Sequence, residues 1–364
     1  MVEASIDSSD EYIFQNYAGK NGIKPYRFEL KRRRLNVDQH VKNNRKIDEE
    51  LPEVAHSKSF SIFLFGLLEG LDKRKLYSSL KPKYEFVESL GILRPTDLPD
   101  FVRASKFHPA DDDVIVATYP KCGTTWAQSI LWLFTHDLQK CPDMNMLIFG
   151  RFLEFIGEEG ANKVIDELRI LKTHMPLNHF HWNPKAKYIV IVRNPFDCVV
   201  SFYHHTKAFT DYEFADGTFD TYFELFMKGE IDWGDYFQHL VSWYKVKYEP
   251  NVLFLSFEDM KSDLQSALKK IGKFLGGKYA EMVDNDEVIE TIMDGVSIKK
   301  MHNLTVPNVE GNFFRKGVIG DWKNYFDDEQ TKRLNQRFNE YDEKYGIRQI
   351  WKEYEDFLPA KTKE

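Results

Sequence analysis

The chain has 364 residues, 29% of them charged and 42% hydrophobic, enough for one large core or two smaller ones. Its formal net charge is −7, which argues against nucleic acid as the main partner, although 50 Lys and Arg remain available for local anion sites. Three cysteines, Cys122, Cys141 and Cys198, provide no disulfide framework and predict a reducing, cytoplasmic setting.

Residues 1–79 read as a partly irregular N-terminal extension. Its start, Met1 to Asp7, has no basic segment followed by an apolar one, so no signal peptide is expected. The cluster Lys31-Arg32-Arg33-Arg34 reads as a solvated charge run or as an anion-binding patch. The longest apolar stretch, Phe60 to Leu68, is broken by Ser61 and Gly66 and falls short of the roughly 20 residues a spanning helix needs. No membrane anchor is therefore expected. Residues 80–364 read as one domain, approached through Pro82, Pro95, Pro99 and Pro109.

The apolar run Val114–Thr118 predicts a buried strand. It delivers the loop Thr118-Tyr-Pro-Lys-Cys-Gly-Thr-Thr-Trp126, and a helix over Thr125–Leu138 follows, with Trp126, Ile130, Leu131, Leu133 and Phe134 on its apolar face. A tight loop with a glycine, a lysine and two hydroxyls at a helix N-terminus suits a bound phosphate or sulfate ester. Free backbone N–H groups and the positive end of the helix dipole converge there. The ordinary ATP loop has its lysine after the glycine, whereas Lys121 precedes Gly123. A near match to that ATP loop, Gly272 to Lys278, lacks the following Ser or Thr and ends a helical pattern, so it reads as a helix stop.

Ile170–Thr173 predicts a short strand. Tyr188–Val192 predicts a strand buried on both faces, and 196–208 a helix with Pro195 near its start. Val252–Phe257 predicts another strand and Met260–Phe274 another helix. Strand–helix alternation implies an α/β fold with a parallel central sheet flanked by helices. Ligands then bind beyond the strands' carboxyl ends, where the Lys121 loop, His174 and Arg193 all fall. No cluster of metal-ligand spacing is seen, and the adjacent His204 and His205 point apart on a helix. The 29 Phe and 18 Tyr suit an aromatic core, a pocket for a flat acceptor, or both.

The loop Pro-Lys-x-Gly-Thr-Thr-Trp resembles that of the cytosolic sulfotransferases, which move a sulfuryl group from 3′-phosphoadenosine 5′-phosphosulfate. Four further segments resemble the family in order: Phe152-Leu153-Glu154-Phe155, Leu171-Lys172-Thr173-His174-Met175-Pro176, residues 188–205 (Tyr-Ile-Val-Ile-Val-Arg-Asn-Pro to Tyr-His-His) and residues 315–326 (Arg-Lys-Gly-Val-Ile-Gly-Asp-Trp to Tyr-Phe). The similarity spans roughly residues 80–350 and implies the P-loop nucleotide-kinase-like sulfotransferase fold.

The resemblance also implies roles. His174 matches the catalytic base, and Lys121 the cation at the 5′-phosphate leaving group, with Lys172 facing the sulfonate. Cys122, Gly123, Thr124 and Thr125 would cradle the same phosphate, with Trp126 near the adenine. Arg193 and Ser201, with Arg315, Lys316 and Gly317, match the 3′-phosphate site. The stretch Gly311-Asn312-Phe313-Phe314 would be a lid, and Phe152 and Phe155 match acceptor-pocket aromatics. No metal is required, and the acceptor would be a hydroxyl of a small organic molecule.

Some positions depart from the family. Cys122 stands where serine is common. Phe257 replaces a tyrosine that meets the adenine, and Val296-Ser297-Ile298 replaces Thr-Ser-Phe, keeping Ser297. His205 replaces an acceptor-pocket phenylalanine, which suggests a more polar substrate. The family's dimer motif, beginning at Lys323, has Asp327-Asp328 and Lys332 in place of its usual residues, so a monomer or a non-standard dimer is expected.

Overall fold

A computed structural model describes residues 15–16, 26–27, 81–87, 92–95, 101–143, 147–164, 166–302, 306, 309 and 313–360. The Lys31 cluster, the Phe60–Leu68 stretch, Pro99, Gly311 and Asn312 lie outside the described residues. The chain divides into two compact units, Met1–Tyr77 and Ser78–Glu364. In the first, β1 (Gln15–Asn16) and β2 (Tyr26–Arg27) pair antiparallel. The second opens on an antiparallel pair, β3 (Tyr84–Val87) and β4 (Ile92–Pro95).

The central sheet of the second unit has four parallel strands: β5 (Val114–Thr118), β6 (Ile170–Thr173), β7 (Lys187–Val192) and β8 (Val252–Ser256). Their order is β6-β5-β7-β8. The chain steps from β5 to one side and then returns to the other, so the order reverses at β5. Such a reversal opens a crevice at the strand ends. Ala117 pairs with Thr173, Thr118 with Ile191, and Val192 with Ser256. The carboxyl ends are therefore nearly level, and the segments leaving them share one edge.

Alternation along the strands divides the core. Val114, Val116, Ile189 and Ile191 face one layer, made by α1 (Thr124–Thr135), α6 (Leu264–Leu275) and α7 (Asp286–Gly295). Ile115, Ala117, Val190 and Val192 face the other, which includes α2 (Leu153–Asn162), α3 (Pro195–Ala208), α4 (Phe219–Lys228), α5 (Tyr236–Tyr244) and α8 (Asp328–Tyr345). Strands apolar on both faces require cover on both, and each fully buried Val or Ile contributes about 1.5–3 kcal/mol. This is the expected α/β architecture.

Three local details differ from the sequence expectations. The helix read as Thr125–Leu138 ends at Thr135, with Asp137 and Leu138 at positive φ. The single helix read over Met260–Phe274 is two, Phe257–Ser262 and α6. They break at Asp263, whose carboxylate caps α6 by accepting from Ser266 N–H at 2.9 Å. β8 ends at Ser256, whose hydroxyl accepts from Asp259 N–H at 2.9 Å and caps the helix that Phe257 starts. The Gly272–Lys278 stretch is a helix stop as read, with Gly276 at φ +79°.

Two residues in the stretch expected to hold the dimer motif, Asp327 and Lys323, are used within the chain. Asp327 caps α8, accepting from Gln330 N–H at 2.7 Å in a capping box. Lys323 Nζ donates to the Asp356 carbonyl at 3.0 Å.

One buried carboxylate fastens the segment after residue 315 to the sheet edge. Asp197, in the first turn of α3, accepts from Gly320 N–H at 2.7 Å, Trp322 N–H at 3.0 Å and Asn194 Nδ2 at 2.9 Å. Asp197→Ala removes the acceptor of the Gly320 and Trp322 N–H groups, while Asn194 Nδ2 keeps Glu258 Oε1 at 2.7 Å, and should cost about 2 kcal/mol. Thermal unfolding checks this, and an unchanged midpoint would show that the segment is held by other contacts.

Candidate active site

The four strand ends deliver the site. The loop after β5 turns sharply, with Lys121 at φ 69° and Gly123 at φ +102°. A side chain at 123 would be strained by that φ, and its Cβ would stand 3.2 Å from the Phe257 ring. Gly123 is the N-cap of α1, and no side chain caps that terminus. The first-turn N–H groups are thus presented to an anion.

His174 directly follows β6 and is buried. Its Nδ1 lies 2.8 Å from the Thr118 carbonyl and 3.1 Å from the Thr118 hydroxyl. A carbonyl only accepts, so Nδ1 carries the proton and Nε2 keeps its lone pair. The same Thr118 hydroxyl lies 2.6 Å from that of Thr124. Burial pushes the imidazole pKa well below its ordinary value, aided by the charge of Lys172, with the Thr118 carbonyl acting the other way.

Glu154, on α2, orients the same stretch. Its Oε1 accepts from His174 N–H at 2.6 Å, the Thr173 hydroxyl at 3.0 Å and Trp233 Nε1 at 3.2 Å. The Trp233 and Phe152 rings each lie 5.0 Å from the imidazole, edge-on. Thr118, Glu154 and Trp233 were not assigned roles from sequence. A glutamate in the apolar run Phe152 to Phe155 was the available signal for Glu154. Burial raises the Glu154 carboxyl to about 7.

The two lysines are also perturbed. Lys172 is buried with its ammonium 4.5 Å from the Phe152 ring centre. Burial lowers its pKa to about 7, opposed by Glu154 and aided by Lys121. Lys121 is partly accessible along its length, yet Nζ is enclosed. It lies 4.5 Å from the Phe313 ring centre and 3.2 Å from Nδ1 of His205. Desolvation, then the charges of Arg193 and Arg315, bring its pKa to about 7.

Of the remaining expected residues, Arg193 bonds the loop directly. Arg193 donates to the carbonyls of Lys121 at 3.3 Å and Val318 at 3.2 Å, and its guanidinium lies 4.4 Å from the Phe257 ring centre. Trp126 meets Phe257 edge-on at 5.7 Å. Gly317 approaches Ile298, beside Ser297. Cys122 is buried with its sulfur 3.9 Å from that of Cys198. Thr125 is buried in the first turn of α1, and Ser201 is half-buried on α3. Arg315 and Lys316 both bond Asp321. Burial pushes that carboxyl up, but the bonds from Lys316 and Arg315 outweigh it and hold it at about 2. Phe155 packs on Phe149 at 5.3 Å, whereas Phe152 reaches the imidazole. His205, expected in the acceptor pocket, lies with Nδ1 3.2 Å from Nζ of Lys121.

Three buried nitrogens here have no hydrogen-bond partner: Trp126 Nε1, Arg193 Nε and Arg315 Nε. Unpaired donors around a glycine turn and an uncapped helix fit a polyanionic nucleotide. Among the described residues, no group of three or more His, Cys, Asp or Glu could hold a metal ion.

A family model described as the sulfotransferase domain matches residues 111–347. The chain belongs to the sulfotransferase family. Human sulfotransferase 1C2 is 33% identical over 284 residues, 73% of this chain and 94% of that protein. Human sulfotransferase 1E1 is 34% identical over 284 residues, covering 71% and 92%. Among solved structures, mouse sulfotransferase SULT7A1 complexed with PAP superposes with a TM-score of 0.61 at 26% identity, covering 74% of this chain and 98% of that one. This sulfotransferase therefore moves a sulfuryl group from 3′-phosphoadenosine 5′-phosphosulfate to a small-molecule acceptor. When bound, that donor supplies the sulfuryl group and a phosphate leaving group. No helix among the described residues is long and apolar enough to cross a membrane.

The buried Glu154 carboxyl yields a pH prediction. Its folded-state pKa of about 7 lies above the ordinary 4.5. The folded state thus binds this proton more tightly than the unfolded chain. The contribution is complete below the ordinary value and is lost as pH rises through about 7. Glu154→Gln should flatten the fall in thermal midpoint between about pH 4.5 and 7. Parallel pH curves for variant and wild type would mean that this carboxyl does not titrate there.

Proposed function

We propose that His174 is the general base and Lys121 the leaving-group cation for sulfuryl transfer to a hydroxyl of a small organic acceptor, such as a phenol, an alcohol or a sterol. The observation that carries this reading is the 2.8 Å separation of His174 Nδ1 from the Thr118 carbonyl, an acceptor that draws the imidazole proton to Nδ1. It leaves Nε2 free to take the acceptor's proton. The depressed pKa keeps the imidazole neutral, the form a base requires. A positioned base contributes roughly 10²–10⁴-fold to rate. Transfer through a loose, in-line transition state otherwise depends on positioning and charge.

Lys121 neutralises charge that builds on the bridging oxygen, while the first-turn N–H groups of α1 hold the 5′-phosphate. Lys172 faces the sulfonate from the side of Phe152. Arg193, Ser201, Arg315, Lys316 and Gly317 take the 3′-phosphate, with Asp321 holding the two cations of the later segment together. Trp126, Phe257 and Ser297 bound the adenine, and Phe152 and Phe155 the acceptor. We further assign catalysis to residues 80–364, working in the cytoplasm as a monomer or a dimer of non-standard contact, with no nucleic-acid partner. Free cysteines and the intramolecular use of Lys323 and Asp327 support that assignment.

His174→Ala should lower turnover at least 10²-fold while leaving calorimetric binding of 3′-phosphoadenosine 5′-phosphate nearly intact. Full activity in the variant would remove His174 as the base. Product mass completes the assay, since gain of a sulfonate on the acceptor marks transfer and loss of water marks a dehydration. Arg193→Ala should weaken 3′-phosphoadenosine 5′-phosphate by roughly tenfold or more, with little change for adenosine 5′-phosphate. Equal weakening of both nucleotides would sink the 3′-phosphate assignment.

A further inference from the structure

His205 stands on α3, four residues and one turn from Ser201 on the same face. Its Nδ1 lies 3.2 Å from Nζ of Lys121. Aromatic rings close around the pair. Phe209 lies 4.4 Å and Phe313 5.9 Å from the imidazole, centre to centre, and Phe313 also lies beneath the ammonium. An ammonium has three donors and no acceptor, so removal from water leaves it dependent on whatever acceptors line the enclosure. The face of Phe313 satisfies it in part. The imidazole nitrogen accepts a directed hydrogen bond.

We infer that His205 is a positioning residue for Lys121, accepting a hydrogen bond from its ammonium at Nδ1 and thereby holding that side chain charged and oriented in the donor loop. The inference rests on Lys121 being the nucleotide's phosphate cation, as proposed above. Nδ1 accepts from the charged lysine, which puts the imidazole proton on Nε2. The charged and titratable groups facing Lys121 are Arg193, Arg315 and Lys172, which oppose its charge, the imidazoles of His205 and His174, and the thiols of Cys198 and Cys122. Those facing His205 are Lys121, His174 and Lys172. Burial and these neighbours keep His205 neutral well below its ordinary pKa, so it remains an acceptor while Lys121 titrates near 7.

The test is calorimetric binding of 3′-phosphoadenosine 5′-phosphate to the full chain across about pH 6 to 9. Affinity should begin to fall as pH rises through about 7, where Lys121 loses its proton. Lys121→Met should remove the part of that fall owed to Lys121, leaving only what Lys172 contributes. His205→Phe, which suits the aromatic surroundings, removes the acceptor and destabilises the ammonium. The onset should then move down by about one pH unit, the scale of a charge-assisted hydrogen bond. His205→Asn, whose carbonyl oxygen can stand near the Nδ1 position, should restore it. Ionisation of the nucleotide's own phosphates is common to every variant and cancels in the comparison. An unmoved onset in His205→Phe, or an Asn variant as displaced as the Phe variant, overturns the inference and leaves the role of Lys121 intact. Wild-type affinity and pH dependence in Lys121→Met would instead overturn the underlying reading of Lys121, and the inference with it.

Discussion

Thr118 joins the two halves of the site. It is the last residue of the central strand β5 and is fully buried. Its hydroxyl meets that of Thr124, at the start of α1, at 2.6 Å, and its carbonyl lies 2.8 Å from Nδ1 of His174. Loop and imidazole cannot move apart without breaking bonds in a region that water does not reach, where an unmet polar group costs most. The level strand ends make this possible, because Ala117 and Thr173 pair directly and bring the next residues of both strands together.

Charge is distributed around this link in an uneven way. Lys121, Lys172, Arg193 and Arg315 converge, and burial with mutual repulsion draws both lysines to about 7. A site in that condition favours an incoming polyanion, since an anion relieves the repulsion and replaces lost hydration. The two nearby carboxyls show how environment separates chemically similar groups. Desolvation brings Glu154 to about 7, whereas the hydrogen bonds of Lys316 and Arg315 hold Asp321 at about 2. The whole chain's net charge of −7 describes neither place.

Much of this was legible along the chain. Val114–Thr118 read as a buried strand because five consecutive residues with no strongly polar side chain need cover on both faces, and that cover is present. Lys121, Gly123 and Thr124 read as an anion loop because turn chemistry is local. The break at Asp263 was missed because the apolar period runs across it, while a capping carboxylate acts on one amide three residues away. Phe152 and Phe155 looked equivalent in sequence, yet only Phe152 reaches His174; Phe155 packs on Phe149. The contact of His205 with Lys121, 84 positions away, was not legible because no local pattern carries it.

By itself, the sequence determined the strand–helix alternation, the anion loop and the family, because periodicity, turn residues and motif spacing are set within short windows of chain. Only the tertiary structure decided that Thr118 fixes the tautomer of His174, that Glu154 accepts from its backbone, and that His205 bonds Lys121. Those contacts join residues 56, 20 and 84 positions apart. The perturbed pKa values follow from them, since desolvation and Coulomb interactions depend on distance through the folded protein and not on distance along the chain.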